Sequence, residues 1–185
     1  MDLAGDAVAR ATLRKGDLIP RVPIKSVGVW DTVGSMGVPN YVKGSRQDFF
    51  SFVDTKLSRA VEFGFHAMAL DEQRRDFPVT RWDKDARVEQ VWFIGAHSDV
   101  GGGYPLAESG LSNLALDWMT LKLAGVGVRF VKLPSGPLDP ARFGQAFHQP
   151  WAKPPFNLGA KQRAPKRGDV FHESVSSRWQ ADAGY

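Results

Sequence analysis

The sequence contains no cysteine among its 185 residues. This absence excludes a disulfide scaffold, a thiolate metal site and a cysteine nucleophile, so catalytic chemistry would have to use serine, histidine or carboxylate side chains. The chain also has no apolar run of about 18 residues, and its amino terminus lacks the basic region and apolar core of a signal peptide. We therefore expect no signal peptide and no transmembrane segment, and a cytoplasmic location where the protein is made.

Over most of the chain, basic residues barely outnumber acidic ones. The net charge is only +4, and most of this excess lies from Trp151 onward, where several basic residues stand among prolines: Lys153, Lys161, Arg163, Lys166 and Arg167. A basic tail of this kind can contact phosphate groups, but more often it is a solvated loop, which is the interpretation we favour. Nucleic acid is not expected as a partner.

The remaining composition is that of an ordinary globular domain. Hydrophobic residues make up 43% and charged residues 24% of the chain, and the length suits one domain or a piece of a larger one. Residues 1–22 are polar and weakly patterned, which predicts a weakly ordered lead-in. Prolines concentrate in residues 134–168 and predict a loop-rich segment, after which residues 170–179 are expected to form a terminal ordered element.

Two short segments rich in β-branched and aromatic residues, 24–30 and 88–95, are predicted to form strands. Between them, residues 46–73 hold apolar side chains at helical spacing, which predicts one or two helices: Leu57, Val61, Phe65 and Met68. Because a helical crossover joins neighbouring parallel strands, we expect the two strands to be adjacent and parallel. Residues 113–124 are predicted to form a further helix capped by Ser112, and residues 126–133 a third, shorter strand.

Each of the two main strands delivers a polar residue to a glycine-bearing loop. Asp31 follows the first strand and His97 follows the second. Parallel strands would bring both residues to the same carboxyl edge of the sheet, where α/β proteins bind ligands. An acid followed by a histidine also matches the last two members of an α/β-hydrolase triad. The alternative is that Asp31 only forms a turn and His97 is only a hydrogen-bonded loop residue.

Several neighbouring residues are weaker candidates for substrate contact. Thr32 adjoins the acid, and Asp99 lies two residues past His97, where it could bond the imidazole or join it at a metal. Two ligands make a weak metal signal, so we expect neither a metal nor a cofactor. Three glycines after Asp99 either let a substrate approach the backbone closely or form a plain turn: Gly101, Gly102 and Gly103. His66 lies among apolar residues and is interpreted as a satisfied core histidine.

Four blocks of the sequence together resemble a bacterial α/β-hydrolase family that includes the phospholipase effectors of type VI secretion. The blocks are residues 28–34, 66–77, 88–112 and 172–175, of which the one around His97 is the longest. The resemblance implies an α/β-hydrolase fold with a mostly parallel sheet and flanking helices. It implies that Asp31 is the triad acid and His97 the triad base, acting on an acyl ester of a phospholipid or on another ester. It further implies secretion-machinery or immunity partners and delivery to the envelope of a target cell.

The sequence departs from that family in one respect. The family's nucleophile lies in a Gly-x-Ser-x-Gly elbow before the acid, whereas here only Ser26 precedes Asp31, inside a predicted strand and without elbow glycines. We therefore expect residues 1–185 to be a single partial catalytic domain, the C-terminal part of a lipase or phospholipase. It would be inactive alone and would require an N-terminal companion segment.

Two alternatives remain open. The chain could be a non-catalytic remnant or interaction module, or it could be an autonomous hydrolase that uses a metal or Ser112. Ser112 stands in half of an elbow motif, Gly-Leu-Ser-Asn-Leu, but a helix cap explains it equally well.

Overall fold

The computed structural model describes residues 22–33, 55–135, 137–154, 156–157, 160–182 and 185. These ranges hold four β-strands, which are β1 (Ile24–Trp30), β2 (Val61–Ala69), β3 (Val88–Phe93) and β4 (Val170–Phe171). They also hold four α-helices, which are α1 (His97–Gly101), α2 (Gly110–Gly125), α3 (Pro140–Phe143) and α4 (Glu173–Ala181), and 3₁₀ turns at Leu106–Glu108 and Pro150–Ala152. Nearly all of the expected lead-in, and residues 46–54 of the expected crossover helices, lie outside the described residues.

The four strands form one sheet in the order β1-β2-β3-β4, and every neighbouring pair is parallel. The register pairs Trp30 with Ala67 and Ala67 with Val91, so β1, β2 and β3 run side by side towards the same edge. This arrangement confirms the predicted α/β class with a mostly parallel sheet and flanking helices. The two strands predicted from the sequence are parallel and share a sheet, as expected.

The one or two helices predicted over residues 46–73 are wrong where the structure describes this segment, because residues 61–69 form the central strand β2. Its side chains alternate between the two faces of the sheet, with Phe65, Ala67 and Ala69 on one face and His66 and Met68 on the other. Residues 65–69 are buried on both faces. A central parallel strand therefore carries an almost continuous apolar run. Such a run also contains apolar residues three and four positions apart, which is the spacing typical of a helix. As a consequence, β1 and β3 are not adjacent.

Two boundaries near α2 also differ from prediction. The helix starts at Gly110 with Ser109 as its N-cap, so Ser112 lies inside the first turn and does not cap it. Residues 126–133 form no strand, because the chain turns after α2 through Gly127, which has a φ of 101°, and then stays exposed. Val131 is fully exposed, and β-branched residues alone do not make a strand when no neighbouring strand offers hydrogen bonds.

The main core lies between one face of the sheet and α2. Phe65, Val91 and Phe93 from the strands pack against Trp118 and Met119 from the helix. A second cluster joins the end of β3 to α2 and α4 through Ile94, Leu111, Leu114 and Val175. These two clusters pack against the carboxyl ends of β1, through Trp30, and of β3, and they thereby position the residues that follow both strands.

No helix in the described ranges combines the length and the apolar character that crossing a membrane requires. Where the structure describes the segment 134–168, it holds only α3 and one 3₁₀ turn, and α4 follows β4 near the end of the chain. The backbone N–H of His172 donates to the Trp92 carbonyl oxygen over 2.9 Å, which ties the entry of α4 to β3.

Candidate active site

Asp31 lies at the carboxyl end of β1 and is completely buried. Its Oδ1 atom accepts a hydrogen bond from the Ala69 backbone N–H over 2.8 Å, at the end of the neighbouring strand β2. Burial by itself would raise the pKa of the Asp31 carboxyl, but hydrogen bonds from His97, Arg163 and Ala69 together hold that pKa below its ordinary value. Asp31 is therefore a carboxylate at neutral pH.

His97 is the first residue of α1, just after β3. Its Nδ1 atom lies 2.8 Å from Oδ2 of Asp31, so the two side chains are in hydrogen-bonding contact across 66 residues of sequence. Because Asp31 is ionised and can only accept, Nδ1 carries the hydrogen and donates it. The imidazole is 31% exposed, which leaves Nε2 as the nitrogen that can exchange a proton with a reacting group.

The loop after β2 supports His97 from a second side. The buried Glu72 carboxylate accepts the His97 backbone N–H over 3.1 Å and also pairs with the Arg74 guanidinium. Burial favours the neutral carboxyl, but the bonds from Arg74 and His97 outweigh it and lower the pKa of Glu72. Phe77 completes this support, since its ring meets the imidazole edge to face at 5.3 Å between centroids.

Arg163 is the residue at this site that the sequence did not reveal. Its guanidinium binds both oxygens of Asp31, with Nη1 to Oδ1 at 2.5 Å and Nη2 to Oδ2 at 3.0 Å. The sequence predicted a solvated tail here, but the Arg163 side chain is only 7% exposed. It lies 132 residues from Asp31 inside a proline-rich loop, so no local pattern could have indicated the contact.

His66 holds the loop after Asp31 and is neutral. Its Nε2 atom accepts the Thr32 backbone N–H over 3.1 Å, and its Nδ1 atom lies 3.4 Å from the Gln90 side-chain oxygen. Burial lowers the pKa of His66 to about 4. This agrees with the interpretation of His66 as a satisfied core histidine, although it lies on a strand instead of a helix. Thr32 belongs to the site through its backbone.

Asp99 does not bond the His97 imidazole. Its buried carboxylate accepts the Ala96 backbone N–H and lies 2.6 Å from Nδ1 of His148, whose Nε2 atom is 2.9 Å from Glu108. Asp99 thus secures the turn before α1 and binds a second histidine for which the sequence carried no signal. The described residues contain no cluster of three or more histidine and acidic side chains suited to a metal ion.

The glycine loop after α1 leaves open space near the site. Gly102 and Gly103 have φ values of 84° and 124°, and a side chain at either position would meet no atom within 4 Å. Gly101 lies beside Trp30, and a Cβ atom added at Gly101 would stand 3.9 Å from the Trp30 Cβ atom. Ser112, by contrast, donates its hydroxyl to the Ser109 carbonyl oxygen over 3.0 Å, as a helical serine does.

Comparison with known proteins adds one finding. The family model described as "T6SS, Phospholipase effector Tle1-like, catalytic domain" matches residues 6–122 of the chain, a range that includes both Asp31 and His97 but not Arg163. Searches of curated proteins and of solved structures found no match.

Proposed function

The chain belongs to the family of type VI secretion phospholipase effector Tle1-like catalytic domains, and from this premise we propose that it supplies the acid and the base of a serine esterase acting on phospholipids. The observation that carries the proposal is the contact between buried Asp31 and partly exposed His97 at the carboxyl edge of a parallel sheet. This is the arrangement in which an acid orients a general base. In this proposal Asp31 and His97 are two members of a triad.

The proposed reaction cleaves a carboxylic ester in two steps. A serine hydroxyl attacks the acyl carbonyl carbon while Nε2 of His97 takes its proton, and Asp31 stabilises the imidazolium that forms. The imidazolium then returns the proton to the departing alcohol oxygen, which leaves an acyl-serine. Water attacks the acyl group through the same histidine, releasing the fatty acid and regenerating the serine. In this proposal Thr32 and the glycine loop of residues 101–103 border the substrate.

The sequence contains no Gly-x-Ser-x-Gly elbow, and we propose that another segment supplies the nucleophile. We treat residues 1–185 as a single partial catalytic domain that this segment completes. Ser112 is a poor substitute because its hydroxyl is bonded within the first turn of α2 and no strand leads into it. A metal-dependent route has no support among the described residues.

Membership of the family also suggests where the proposed activity would be used. A phospholipase effector of type VI secretion acts on a target cell's lipids, so we propose delivery to the target envelope, contact with the secretion machinery and neutralisation by an immunity partner. None of these steps is needed for the chemistry at Asp31 and His97. They determine where that chemistry is useful.

The first prediction is that the 185-residue chain alone hydrolyses neither short-chain p-nitrophenyl esters nor phosphatidylglycerol vesicles above background. Losing the serine of a triad costs roughly a millionfold in turnover. A protein that joins this chain to a segment with a Gly-x-Ser-x-Gly elbow should release fatty acid. That activity should fall by at least about a thousandfold in His97→Ala and in Asp31→Asn.

The matched control is Ser112→Ala, which should leave the activity of the completed protein unchanged. A fluorophosphonate probe separates the alternatives directly, because it labels only an activated serine. If the 185-residue chain is labelled and Ser112→Ala abolishes the label, the chain is an autonomous enzyme and our proposal fails.

A further inference from the structure

The carboxylate of Asp31 is shared between two cationic or potentially cationic partners. His97 binds one oxygen through Nδ1, and the Arg163 guanidinium binds both oxygens through its two terminal nitrogens. A guanidinium is charged at every pH at which the protein is folded. The acid of the proposed triad therefore has a permanent counter-ion in addition to the histidine.

The sheet edge holds Arg163 in this position. Nη1 also donates to the Ala69 carbonyl oxygen over 2.5 Å, and Nη2 donates to the Phe77 carbonyl oxygen over 2.7 Å. Four hydrogen bonds from two nitrogens fix the plane of the guanidinium against the end of β2 and the loop that follows. The Nε atom is buried and has no hydrogen-bond partner within the described ranges, so the pair with Asp31 offsets the cost of burying this side chain.

The presence of Arg163 changes what Asp31 can do for His97. A carboxylate with a single hydrogen-bond partner can rotate about its Cβ–Cγ bond, whereas a bidentate pair with a guanidinium fixes its plane. With that plane fixed, Oδ2 of Asp31 stays directed at Nδ1 of His97.

We propose that Arg163 is a positioning residue that fixes the Asp31 carboxylate in the orientation that accepts the Nδ1 hydrogen of His97. The catalytic meaning of this inference rests on the proposed function, in which Nε2 of His97 must face the serine. Arg163 lies outside the residues that match the family model, so it is not assigned by membership.

Among the residues that the structure describes, few other charged groups lie around His97. Glu72 accepts the His97 backbone N–H, and its charge is balanced by Arg74 in the same loop. Asp99, on the same helix as His97, is bonded to His148 instead. Phe77 contributes an uncharged ring. Within the described ranges, Asp31 is therefore the carboxylate that contacts the His97 imidazole, and Arg163 is the cation that holds it.

The test follows the Nδ1 hydrogen of His97, which is bonded to Asp31, by NMR in the intact 185-residue chain, without any substrate. The chain has 4 histidines, so His97→Gln assigns the imidazole signals by their loss. In Arg163→Gln the His97 Nδ1–H signal should be lost to exchange with water, since the carboxylate is then free to rotate away from the imidazole. Arg163→Lys should retain more of the signal, because lysine keeps a cationic donor but cannot form two parallel bonds.

The matched control is Arg87→Gln. Like Arg163, Arg87 binds both oxygens of a carboxylate, that of Asp85, and donates to backbone carbonyl oxygens, including that of Val61 over 2.7 Å. Unlike Arg163, it makes these bonds at the start of β2, away from His97. This variant should leave the His97 Nδ1–H signal unchanged even where it lowers stability. A backbone amide spectrum establishes that each variant is folded, and Arg163→Lys carries the test if Arg163→Gln does not fold.

A His97 Nδ1–H signal of unchanged position and intensity in a folded Arg163 variant would overturn the inference, since it would show that Arg163 only supports the fold. This result is independent of esterase activity. A completed protein that shows no hydrolysis would refute the proposed function, whereas the Nδ1–H signal alone decides the role of Arg163.

Discussion

Asp31 adopts a backbone conformation that residues with a side chain rarely take. Its φ is 42°, and it is the single non-glycine residue with a positive φ among those the structure describes. Such a conformation costs about 1–3 kcal/mol and persists only where surrounding contacts compensate for it. Here the compensation is visible, since the carboxylate accepts bonds from Ala69, His97 and Arg163. Strain concentrated at the proposed acid is typical of a functional position.

The glycine loop after α1 allows a comparison of two neighbouring residues. Gly102, with φ 84° and ψ 173°, has a conformation that only glycine adopts easily, whereas Gly101 ends the helix and makes ordinary contact with Trp30. We expect Gly102→Ala to lower the free energy of unfolding by about 1–3 kcal/mol. Gly101→Ala should change it by no more than about 0.5 kcal/mol. Urea unfolding of both variants measures the difference, and equal losses would contradict the assigned backbone geometry.

At the scale of elements, His148 links the loop after α3 to the region around α1. Its two ring nitrogens face Asp99 and Glu108, and its ring stacks on Tyr104. Burial lowers the pKa of His148, but the two carboxylates outweigh it and the net pKa is raised. The protonated imidazole is therefore the form that the folded protein favours.

This raised pKa predicts a pH-dependent stability. The contribution of His148 is fully present below the pKa of an unfolded histidine, about 6.5, and is lost as the pH rises through the higher pKa of the folded state. The melting temperature of the wild type should therefore exceed that of His148→Gln by more at about pH 6 than at about pH 9. His66→Gln serves as a comparison of opposite sign, because burial lowers the pKa of His66 to about 4 and its contribution to stability therefore falls as the pH falls through about 6.5. A gap for His148→Gln that widens as the pH rises would show that the sign is wrong.

The elements predicted from sequence succeeded or failed for identifiable reasons. The segment of residues 24–30 is short, contains three β-branched aliphatic residues and lies between Pro23 and the glycine-bearing loop after Asp31, so its pattern predicts a strand. The central strand β2 was mistaken for a helix because burial on both faces removes the alternation that distinguishes a half-buried strand. Residues 126–133 have strand composition without a neighbouring strand, which sequence alone cannot reveal.

The same distinction applies to the site. Asp31 and His97 could be predicted together because each directly follows a parallel strand, and the topology then determines that they meet. Arg163 and His148 reach the site region from irregular loops, whose paths depend on tertiary contacts and not on periodicity. Their partners lie 132 and 49 residues away in the sequence.

At the scale of the whole molecule, the last quarter of the described chain folds back onto the sheet. Arg81 forms a two-bond ion pair with Asp169, β4 pairs with β3, and Tyr185 donates its hydroxyl to Asp71 over 2.8 Å. In each of these contacts one partner lies beyond the residues that match the family model. The matched region alone therefore lacks one described strand, two described helices and the Arg163 counter-ion.

Removing this segment should prevent stable folding. A chain that ends after residue 133 loses β4, α4 and the cover of Ile94 and Leu111, and it leaves Asp31 buried without its guanidinium. We expect it to show no cooperative thermal transition and to be cleaved rapidly in limited proteolysis. Trp179→Ser is the control, since this side chain is 66% exposed and its loss should barely matter. A cooperative melt close to that of the intact chain would mean that the segment is dispensable.

The contact between Asp31 and Arg163 also affects the order in which contacts can form while the chain is synthesised. A ribosome adds roughly 5–20 residues per second, so Asp31 waits on the order of ten seconds for a partner that is synthesised 132 residues later. Closing a contact over such a distance is slow compared with local folding. The buried carboxylate would then meet its guanidinium only after β1, β2 and β3 have been synthesised. A nascent chain released before residue 163 would contain these three strands but would leave Asp31 without the cation that offsets the cost of its burial.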